Sequence, residues 1–506
     1  MAEAFKKLPF FVVLMGLGSF IMLVPSLYGW ATSDFVGMRT FFYGSVLFGF
    51  LTLLVSLATA GYVPPNLARS QLLTLVSALV FLPLMFAVPF AEVGPEITYG
   101  SAWFEMISSF TTTGATLFDV PGLISPTLHL WRATVGWVGG FFIWIVAIAL
   151  FAPMNLGGFE VRALGGVGSQ AKITNTQITR PHSSSERMAK YTVEFAPVYV
   201  GLTGALWLLL LILGEAPFAA LCHAMSIIAT SGVSPIGGTQ FASTGVLGEM
   251  IMVVFFAFAI SRLTFSRGFV GEEDNPLWKD PEIIVAAVLI FAATFVLFAR
   301  HFVGSVEQTD AGAIEGFRVL WGSFFTVVSF LTTTGFESRY WEAATSWSGL
   351  EAPGLVLLGV ALIGGGVATT AGGVKLLRVY ALFRHSEREM DRLLHPSSIG
   401  GGGKDARRIR RQGAYISWVF FMLFAISLAT IMLLLSLTGQ SFENAMILAV
   451  AALSTTGPLA TVAAATPIDY ASLSGPAQAV LAGAMVLGRL ETLALIALFN
   501  PDFWRK

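Results

Sequence analysis

The sequence predicts an all-α, polytopic membrane protein built from related repeats, and three observations carry this prediction. Of the 506 residues, 55% are hydrophobic and only 12% are charged, whereas a soluble protein carries about 25% charged residues. Several apolar runs reach the ~20 residues that a helix needs to cross a bilayer. A short threonine–glycine element recurs four times at similar spacing.

Apolar runs of two lengths alternate along the chain. Ten are long enough for spanning helices, at about 8–30, 38–61, 70–93, 126–152, 194–214, 244–265, 281–300, 350–380, 413–438 and 475–500. Four shorter runs lie near 101–112, 217–230, 317–332 and 441–454. At roughly a dozen residues these are too short to span, and we interpret them as re-entrant or pore helices. The first long run lacks a small-residue cleavage site, so we interpret it as a retained signal-anchor helix.

Each short run ends in the threonine–glycine element. The four copies read FEMISSFTTTGAT (104–116), CHAMSIIATSGVS (222–234), FTVVSFLTTTGFE (325–337) and ILAVAALSTTGPL (447–459). Their shared cores are Thr112, Thr113, Gly114; Thr230, Ser231, Gly232; Thr333, Thr334, Gly335; and Thr455, Thr456, Gly457. Such an internal repeat predicts one structural unit used four times.

The chemistry of these elements indicates an ion site. Non-helical backbone at membrane depth is tolerated only where it is buried in protein or lines a water-filled cavity. Four helix–pore-helix–helix repeats in a pseudo-fourfold arrangement around one pore would present rings of carbonyl oxygens, which can replace the hydration shell of a cation. Glycine permits left-handed backbone angles there, and the negative ends of the short helices favour a cation. The alternative is ordinary helix packing by small residues.

The distribution of positive charge orients the chain. Most Lys and Arg residues fall in the loops before Gln71, at 153–193, at 266–280 and at 381–412. By the positive-inside rule, both termini are cytoplasmic and the threonine–glycine elements lie toward the outer face.

The repeats also predict the domain boundaries. These are an N-terminal helix pair at 1–65, pore repeats at 66–155, 190–265 and 281–384, a cytoplasmic linker at 385–412, and a fourth pore repeat at 413–506.

Two further segments accompany the four elements, GGGVATTAGGVKLLR (364–378) and GAMVLGRLETLALIALFNPDFWRK (483–506). All six segments together resemble the Trk/Ktr/HKT superfamily, TrkH/TrkG type, and the resemblance covers essentially the whole chain. The resemblance implies potassium uptake across a bacterial inner membrane, with the twelve core residues as the selectivity filter and K⁺ as the transported ion. Glycine in all four copies favours potassium, because serine at the first position accompanies sodium selectivity in some plant relatives. A sodium or non-selective path is the alternative; a membrane-embedded enzyme lacks support, since no HExxH, GxSxG or intramembrane carboxylate pair occurs.

The run 350–380 is too long for one ordinary span and is rich in glycine. Each glycine costs a helix about 1 kcal/mol relative to alanine, so this run should unwind. The resemblance implies an intramembrane gating loop here, below the filter, with an arginine projecting into the pore beside it. The gating residues are then Gly364, Gly365, Gly366, Thr369, Thr370, Gly372, Gly373 and Arg489. The alternatives are a close helix–helix contact and a structural pair of Arg489 with a carboxylate such as Glu491.

Four further charged or polar residues lie within or beside the apolar runs. Lys375 and Arg378 are predicted to snorkel to the cytoplasmic interface. Glu105 and His223 lie nine residues before the glycine in the first two copies, where Thr326 and Leu448 stand in the others. We predict hydrogen bonds behind the filter for this pair; proton coupling is the alternative, and a metal site is not expected.

The segment 384–412 combines charges, a GGGG joint and a basic cluster. It is interpreted either as a solvated loop that contacts lipid headgroups or, by the resemblance, as the dock for a cytosolic nucleotide-binding regulatory subunit of the TrkA type. The resemblance also implies a homodimer. The chain carries no nucleotide-binding motif of its own, which predicts no organic cofactor. A net charge of −1 gives no sign of nucleic-acid binding, and the single cysteine excludes a disulfide framework.

Overall fold

The computed structural model describes residues 9–59, 61, 67–94, 97–118, 120–152, 158–161, 184–261, 280–304, 313–350, 352–395, 411–464 and 466–490. Within these ranges all regular structure is helical, so the predicted all-α class is confirmed. Eight helices there are long and apolar enough to cross a membrane: Phe10–Ala31, Phe35–Ala58, Ser70–Val93, Pro126–Phe151, Arg187–Ile212, Pro281–Ala299, Ile314–Leu331 and Gly413–Leu437.

The N-terminal helices pack on the outside of the first repeat. Helices α1 (Phe10–Ile21) and α2 (Leu23–Ala31) form one span, and α3 (Phe35–Ala58) returns beside it. The Asp34 side chain caps α3 by accepting a hydrogen bond from the Gly37 amide at 2.9 Å. Its other oxygen accepts from the Thr127 hydroxyl at 2.7 Å, which ties this pair of spans to the first repeat.

The first repeat follows the predicted order of long, short and long helices, whereas the closing helices of the second and third repeats, with 16 and 10 residues, are shorter than the predicted spans. The first repeat has α4 (Leu67–Val93), α5 (Tyr99–Phe110) and α6 (Pro126–Val146), and the second has α7 (Ser184–Ile212), α8 (Pro217–Ala229) and α9 (Gly245–Ile260). The third has α10 (Pro281–Gly304), α11 (Ala313–Leu331), α12 (Trp341–Ser348), α13 (Gly354–Ile363) and α14 (Leu376–Leu394). The fourth has α15 (Arg411–Leu437), α16 (Phe442–Leu453), α17 (Leu459–Val462) and α18 (Gly475–Leu490).

The short helix of the third repeat is longer than its apolar run predicts. Helices α5, α8 and α16 contain 12, 13 and 12 residues, whereas α11 contains 19. The segment before residue 317 carries Glu315 and therefore falls outside an apolar run, but it continues the helix. The prediction of a dozen residues was wrong for this one copy.

The glycine-rich run breaks as its composition predicts. Helix α13 ends at Ile363, and Gly364 follows with a left-handed φ of 72°. The chain does not resume a helix until Leu376, where α14 begins. The intervening loop, residues 364–375, is almost fully buried.

Close helix packing fixes the ends of two pore helices. A Cβ atom built on Gly139 of α6 would lie 2.0 Å from the carbonyl oxygen of Phe110, the last residue of α5. A Cβ atom on Gly488 of α18 would lie 2.3 Å from the carbonyl oxygen of Leu453, the last residue of α16. Because no larger side chain fits, these glycines let the long helices touch the pore-helix termini.

We predict that Gly488→Ala lowers the stability of the protein by about 1–3 kcal/mol, because the added methyl group overpacks a backbone contact. Gly483→Ala is the matched control on the same helix, since a Cβ atom there meets nothing within 4 Å. That control should match the wild type or exceed it, because alanine favours a helix over glycine. Thermal unfolding in detergent measures both, and equal melting temperatures for the two variants would contradict the packing argument.

Candidate functional site

All four pore helices end in the same hydrogen-bonded cap. After α5, the Thr113 amide donates to the Ser108 carbonyl at 2.8 Å, and the Thr112 amide donates to Ser109 at 2.9 Å. This pair of bonds defines a Schellman motif. The equivalent outer bonds join Ser231 to Ser226, Thr334 to Ser329 and Thr456 to Ala451; the inner bonds join Thr230 to Ile227, Thr333 to Phe330 and Thr455 to Ala452.

A threonine occupies the position of this motif at which glycine is usual. Its φ is 54° at Thr112, 51° at Thr230, 57° at Thr333 and 55° at Thr455. In the described part of the chain, only three other non-glycine residues have positive φ. Left-handed backbone costs an L-residue about 1–2 kcal/mol, and for a β-branched residue it is an outlier. Strain of this kind concentrates at functional sites, and the hydroxyl group is what glycine could not supply.

The glycine two residues later follows the prediction in three of the four copies. Gly114, Gly232 and Gly335 are left-handed, with φ of 75°, 65° and 81°. Gly457 is not left-handed, so the prediction was wrong at this copy. The next residue is Pro458, and the chain passes directly into the short helix α17.

The four elements, which we call turns 1 to 4 (112–114, 230–232, 333–335 and 455–457), touch one another in cyclic order. Each glycine faces the next turn, or the residue directly after it, at a distance that excludes a side chain. A Cβ atom would lie 2.2 Å from Ser231 O at Gly114, 2.5 Å from Thr334 O at Gly232, 2.9 Å from Pro458 Cγ at Gly335, and 2.2 Å from Ala115 N at Gly457. The turns therefore form a closed ring.

The strained threonines and their neighbours use their hydroxyl groups differently. Within the described chain, the buried hydroxyl groups of Thr112 and Thr455 have no hydrogen-bond partner. The Thr333 hydroxyl accepts from the Gly372 amide at 2.8 Å, and the Thr230 hydroxyl donates to the carbonyl of Ala229 at 2.7 Å. An unpartnered buried hydroxyl costs about 1–3 kcal/mol, and its oxygen is a hard ligand of the kind that alkali and alkaline-earth cations accept.

The middle residue of each turn directs its hydroxyl group back into its own repeat. Thr113 pairs with Thr111 at 2.8 Å, Thr334 with Thr332 at 3.2 Å, and Thr456 with Ser454 at 3.2 Å. In turn 2, alanine stands at the corresponding position, and Ser231 bonds to the Ser226 hydroxyl instead. These bonds brace the turns from behind.

Glu105 braces the segment that follows turn 1. Its Oε1 accepts from the Thr116 hydroxyl at 2.9 Å and from the Leu117 amide. Its Oε2 lies 2.9 Å from Nε of Arg132 in a fully buried ion pair. The prediction of hydrogen bonds behind this turn is confirmed for Glu105.

His223 and Thr326 do the same for turns 2 and 3. His223 Nε2 lies 2.9 Å from the Ser234 hydroxyl, and Nδ1 lies 2.8 Å from Oε1 of Glu215. The Thr326 hydroxyl accepts from the Ser338 amide at 3.2 Å. The predicted role of His223 is therefore confirmed as well, and the shared register extends to the third copy.

Glu249 supports turn 3 and was not singled out from the sequence. It accepts hydrogen bonds from the Trp321 indole at 2.7 Å, from the Ser338 hydroxyl at 2.8 Å and from the Arg339 amide at 2.8 Å. A signal was present, because a lone carboxylate inside an apolar run such as GVLGEMIMVVFF marks a functional position by default.

The loop 364–375 packs directly against the turns and the helix ends that precede them. Besides the Gly372 bond to Thr333, the Thr370 hydroxyl donates to Ile228 at the end of α8 at 3.2 Å. A Cβ atom on Gly372 would lie 2.2 Å from the carbonyl oxygen of Ser454 at the end of α16. On its other side the loop is held by Glu282, which accepts from the Val367 amide at 2.7 Å. The loop thus touches the ends of three pore helices.

Comparisons with known proteins agree with this geometry. The family model described as "TrkH: Cation transport protein" matches residues 282–506. The crystal structure of the potassium transporter TrkH from Vibrio parahaemolyticus superposes with a TM-score of 0.82, at 25% identity and 99% coverage of both chains. The Trk system potassium uptake protein TrkH of Salmonella typhimurium is 29% identical over 442 residues, covering 86% of this chain and 84% of the relative. The chain is therefore similar to TrkH/TrkG-type transport proteins over most of its length.

A more distant relative extends the same similarity. The Trk system potassium uptake protein TrkG of Escherichia coli is 26% identical over 434 residues, covering 81% of this chain and 80% of that protein. The family model and these relatives are transport proteins and not enzymes.

Two basic residues lie where the sequence did not predict them. Lys375 is 7% exposed, and its amine donates to the Ala371 carbonyl inside the loop. Arg378 is fully buried, with its guanidinium 3.6 Å from the centre of the Phe420 ring. The snorkelling prediction was wrong, because a carbonyl and an aromatic face inside the protein receive these charges.

Arg489 is buried near the end of α18, in agreement with an inward-facing charge. It lies close enough to Tyr199 of α7 to interact with it electrostatically. Glu491 and most of the basic cluster in 384–412 lie outside the described residues.

Glu337 stands just beyond turn 3, outside the spanning helices, and is partly buried. Its backbone carbonyl accepts from the Thr239 hydroxyl at 2.9 Å. Burial raises the pKa of the Glu337 carboxyl from 4.5 to about 7, because a charge is less stable away from water.

This pKa predicts a pH-dependent stability. Between pH 4.5 and 7 the folded protein holds a proton at Glu337 that the unfolded chain releases, so stability falls as pH rises through that window. Glu337→Gln should flatten this fall in melting temperature between pH 5 and 7, and Glu342→Gln, at an exposed site on α12, should leave it unchanged. A full pH dependence retained in the Glu337 variant would rule out this carboxyl as its source.

Proposed function

We propose that this chain takes up potassium across a bacterial inner membrane, as the pore-forming subunit of a Trk system. One observation carries the proposal. Four threonines are held at positive φ around one closed ring, and two of their buried hydroxyl groups, at Thr112 and Thr455, have no partner in the described chain. Relatives covered over at least four fifths of their length are named Trk system potassium uptake proteins.

The ring can replace water around a potassium ion in a simple way. Carbonyl and hydroxyl oxygens of the twelve turn residues would take the place of the hydration shell. The four pore helices end at the ring, so their negative dipole ends stabilise a cation there. The glycine contacts between neighbouring turns leave no room for the ring to contract, which disfavours a smaller ion that needs shorter bonds.

A sodium or non-selective path through the same ring is the second candidate. Glycine at all four turns supports potassium over this alternative, because a serine in its place would meet the next turn at less than van der Waals distance.

The loop 364–373 and Arg489 would gate the path. Gly364, Gly365, Gly366, Gly372 and Gly373 give the loop its compact course, and Thr369 and Thr370 bond to backbone carbonyls within and beside it. The direct bond from Gly372 to Thr333 supports a closed state in which the loop blocks the ring from below. A buried positive charge at Arg489 would oppose cation flow.

The remaining proposals concern surroundings and partners. Both termini would be cytoplasmic, and the chain would form a homodimer in contact with membrane lipid. The segment 384–412 would receive a cytosolic nucleotide-binding regulatory subunit of the TrkA type; the Trk system naming of the relatives supports partner subunits in general. The six predicted domains, at 1–65, 66–155, 190–265, 281–384, 385–412 and 413–506, stay a prediction.

Rubidium-86 uptake into liposomes that hold the purified protein tests the function. Wild-type uptake should be blocked by potassium and not by sodium. Gly114→Ser should let sodium compete, because its Cβ atom would meet Ser231 O at 2.2 Å and spread turns 1 and 2. Gly237→Ser is the matched control: that glycine also has a left-handed φ of 90°, but its nearest contact is at 3.4 Å. Equal block of the wild type by both ions would refute potassium selectivity.

A second variant tests the gate. Gly372→Ala would place a methyl group 2.2 Å from Ser454 O and displace the loop from the ring, so rubidium uptake by the chain alone should rise several-fold. Gly359→Ala is the control in the preceding helix α13, where a Cβ atom meets nothing within 4 Å. Unchanged or lower uptake by a folded Gly372 variant would count against a blocking loop.

A further inference from the structure

The fourth turn lacks the brace that the other three share. Nine residues before the glycine, Glu105, His223 and Thr326 each bond to the segment beyond their turn. The residue in this register in the fourth repeat is Leu448, which is fully buried and has no hydrogen-bonding group. Turn 4 must therefore be held by something else.

Tyr470 supplies that contact from farther along the chain. Its hydroxyl donates to the Gly457 carbonyl at 2.9 Å. The ring is 4% exposed and packs against Phe104 of α5, with 6.0 Å between ring centres. The Tyr470 carbonyl in turn accepts from the side-chain amide of Gln478 on α18 at 3.1 Å. Tyr470 is thus fixed between the first pore helix and the last helix of the described chain.

The same glycine is also tied to turn 1. The Gly457 amide donates to the Thr113 carbonyl at 2.6 Å. Between described residues of the other three pairs of adjacent turns, no backbone hydrogen bond occurs. Both polar backbone groups of Gly457 are therefore engaged, and its φ is not left-handed as in the other turns. The ring is closed by one rigid junction, between turns 4 and 1.

We propose that Tyr470 is the positioning residue of turn 4, and that its hydroxyl group keeps the ring selective for potassium over sodium by holding the Gly457 carbonyl. The inference rests on the proposed function. Selectivity in carbonyl-lined sites depends on the number and field strength of the coordinating dipoles. A carbonyl oxygen that accepts a hydrogen bond from a phenol presents a weaker field to an ion. Without the Tyr470 hydrogen bond, this oxygen would present its full field to the cation, and the stronger field favours the smaller, more strongly hydrated sodium ion.

The test is Tyr470→Phe, which removes one oxygen atom and keeps the buried ring. Tyr99→Phe is the matched control, because the Tyr99 hydroxyl also donates to a backbone carbonyl, that of Leu84, at 2.9 Å. Tyr99 begins α5, at the opposite end of that helix from turn 1. For each variant, one measures the sodium concentration and the potassium concentration that halve rubidium-86 uptake into liposomes. The readout is the ratio of the sodium concentration to the potassium concentration. We expect this ratio to fall about tenfold in Tyr470→Phe and to stay at the wild-type value in Tyr99→Phe.

If Tyr470 only stabilises the fold, Tyr470→Phe changes stability or uptake rate without changing ion selectivity. A lower melting temperature or slower uptake with an unchanged sodium-to-potassium ratio would overturn the assignment, as would wild-type behaviour in every measurement. If Tyr470→Phe does not fold, Gln478→Leu loosens the Tyr470 backbone and should shift the ratio in the same direction by a smaller factor; no shift overturns the proposal. Wild-type protein blocked equally by both ions would instead refute the proposed function, and the role of Tyr470 would fall with it.

Discussion

The structure depends on one local constraint, a threonine held in a left-handed conformation at the end of each pore helix. A glycine there would give the same cap without strain. The chain instead places a β-branched residue at that position four times, at Thr112, Thr230, Thr333 and Thr455. Each such residue costs stability and gains a hydroxyl oxygen that the backbone bonds of the cap do not use. Because the same strain recurs four times and each time places a hydroxyl oxygen in the turn, it is evidence for a site at which these oxygens act together.

The surrounding protein holds this strained ring from several sides. Buried carboxylates brace the outer segments, directly from Glu105 and Glu249 and through His223 from Glu215. The long helices press against the pore-helix ends through glycine, and the buried loop 364–375 contacts the ends of three pore helices. These supports are chemically different in each repeat. The backbone of the site is therefore fourfold, whereas the side chains that stabilise it differ from repeat to repeat. This explains why the sequences of the four repeats agree in the turns and hardly anywhere else.

The sequence predicted much of this, for identifiable reasons. Helix length, the pore-helix ends and the break after Ile363 follow from local composition, and local rules suffice for them. The length of α11 was missed because a charged first turn continues the helix beyond its apolar run. The burial of Arg378 was missed because its partner, the Phe420 ring, lies in another repeat. The bond of Tyr470 to Gly457 lies within the fourth repeat, but it was missed because it spans a turn and a short helix and no periodic pattern encodes it. Features set by neighbouring residues could be predicted from the sequence, whereas side-chain partners from other parts of the fold could not.

The most direct test of the ring as a cation site is anomalous diffraction from crystals grown in rubidium. We predict an anomalous peak inside the ring of turns, within about 3.5 Å of the Thr112 and Thr455 hydroxyl oxygens, which disappears when potassium replaces rubidium. Well-diffracting crystals with no rubidium in the ring, or with rubidium bound only elsewhere, would contradict it. The strained threonines would then be a packing device, and the ion path would have to be sought in another part of the molecule.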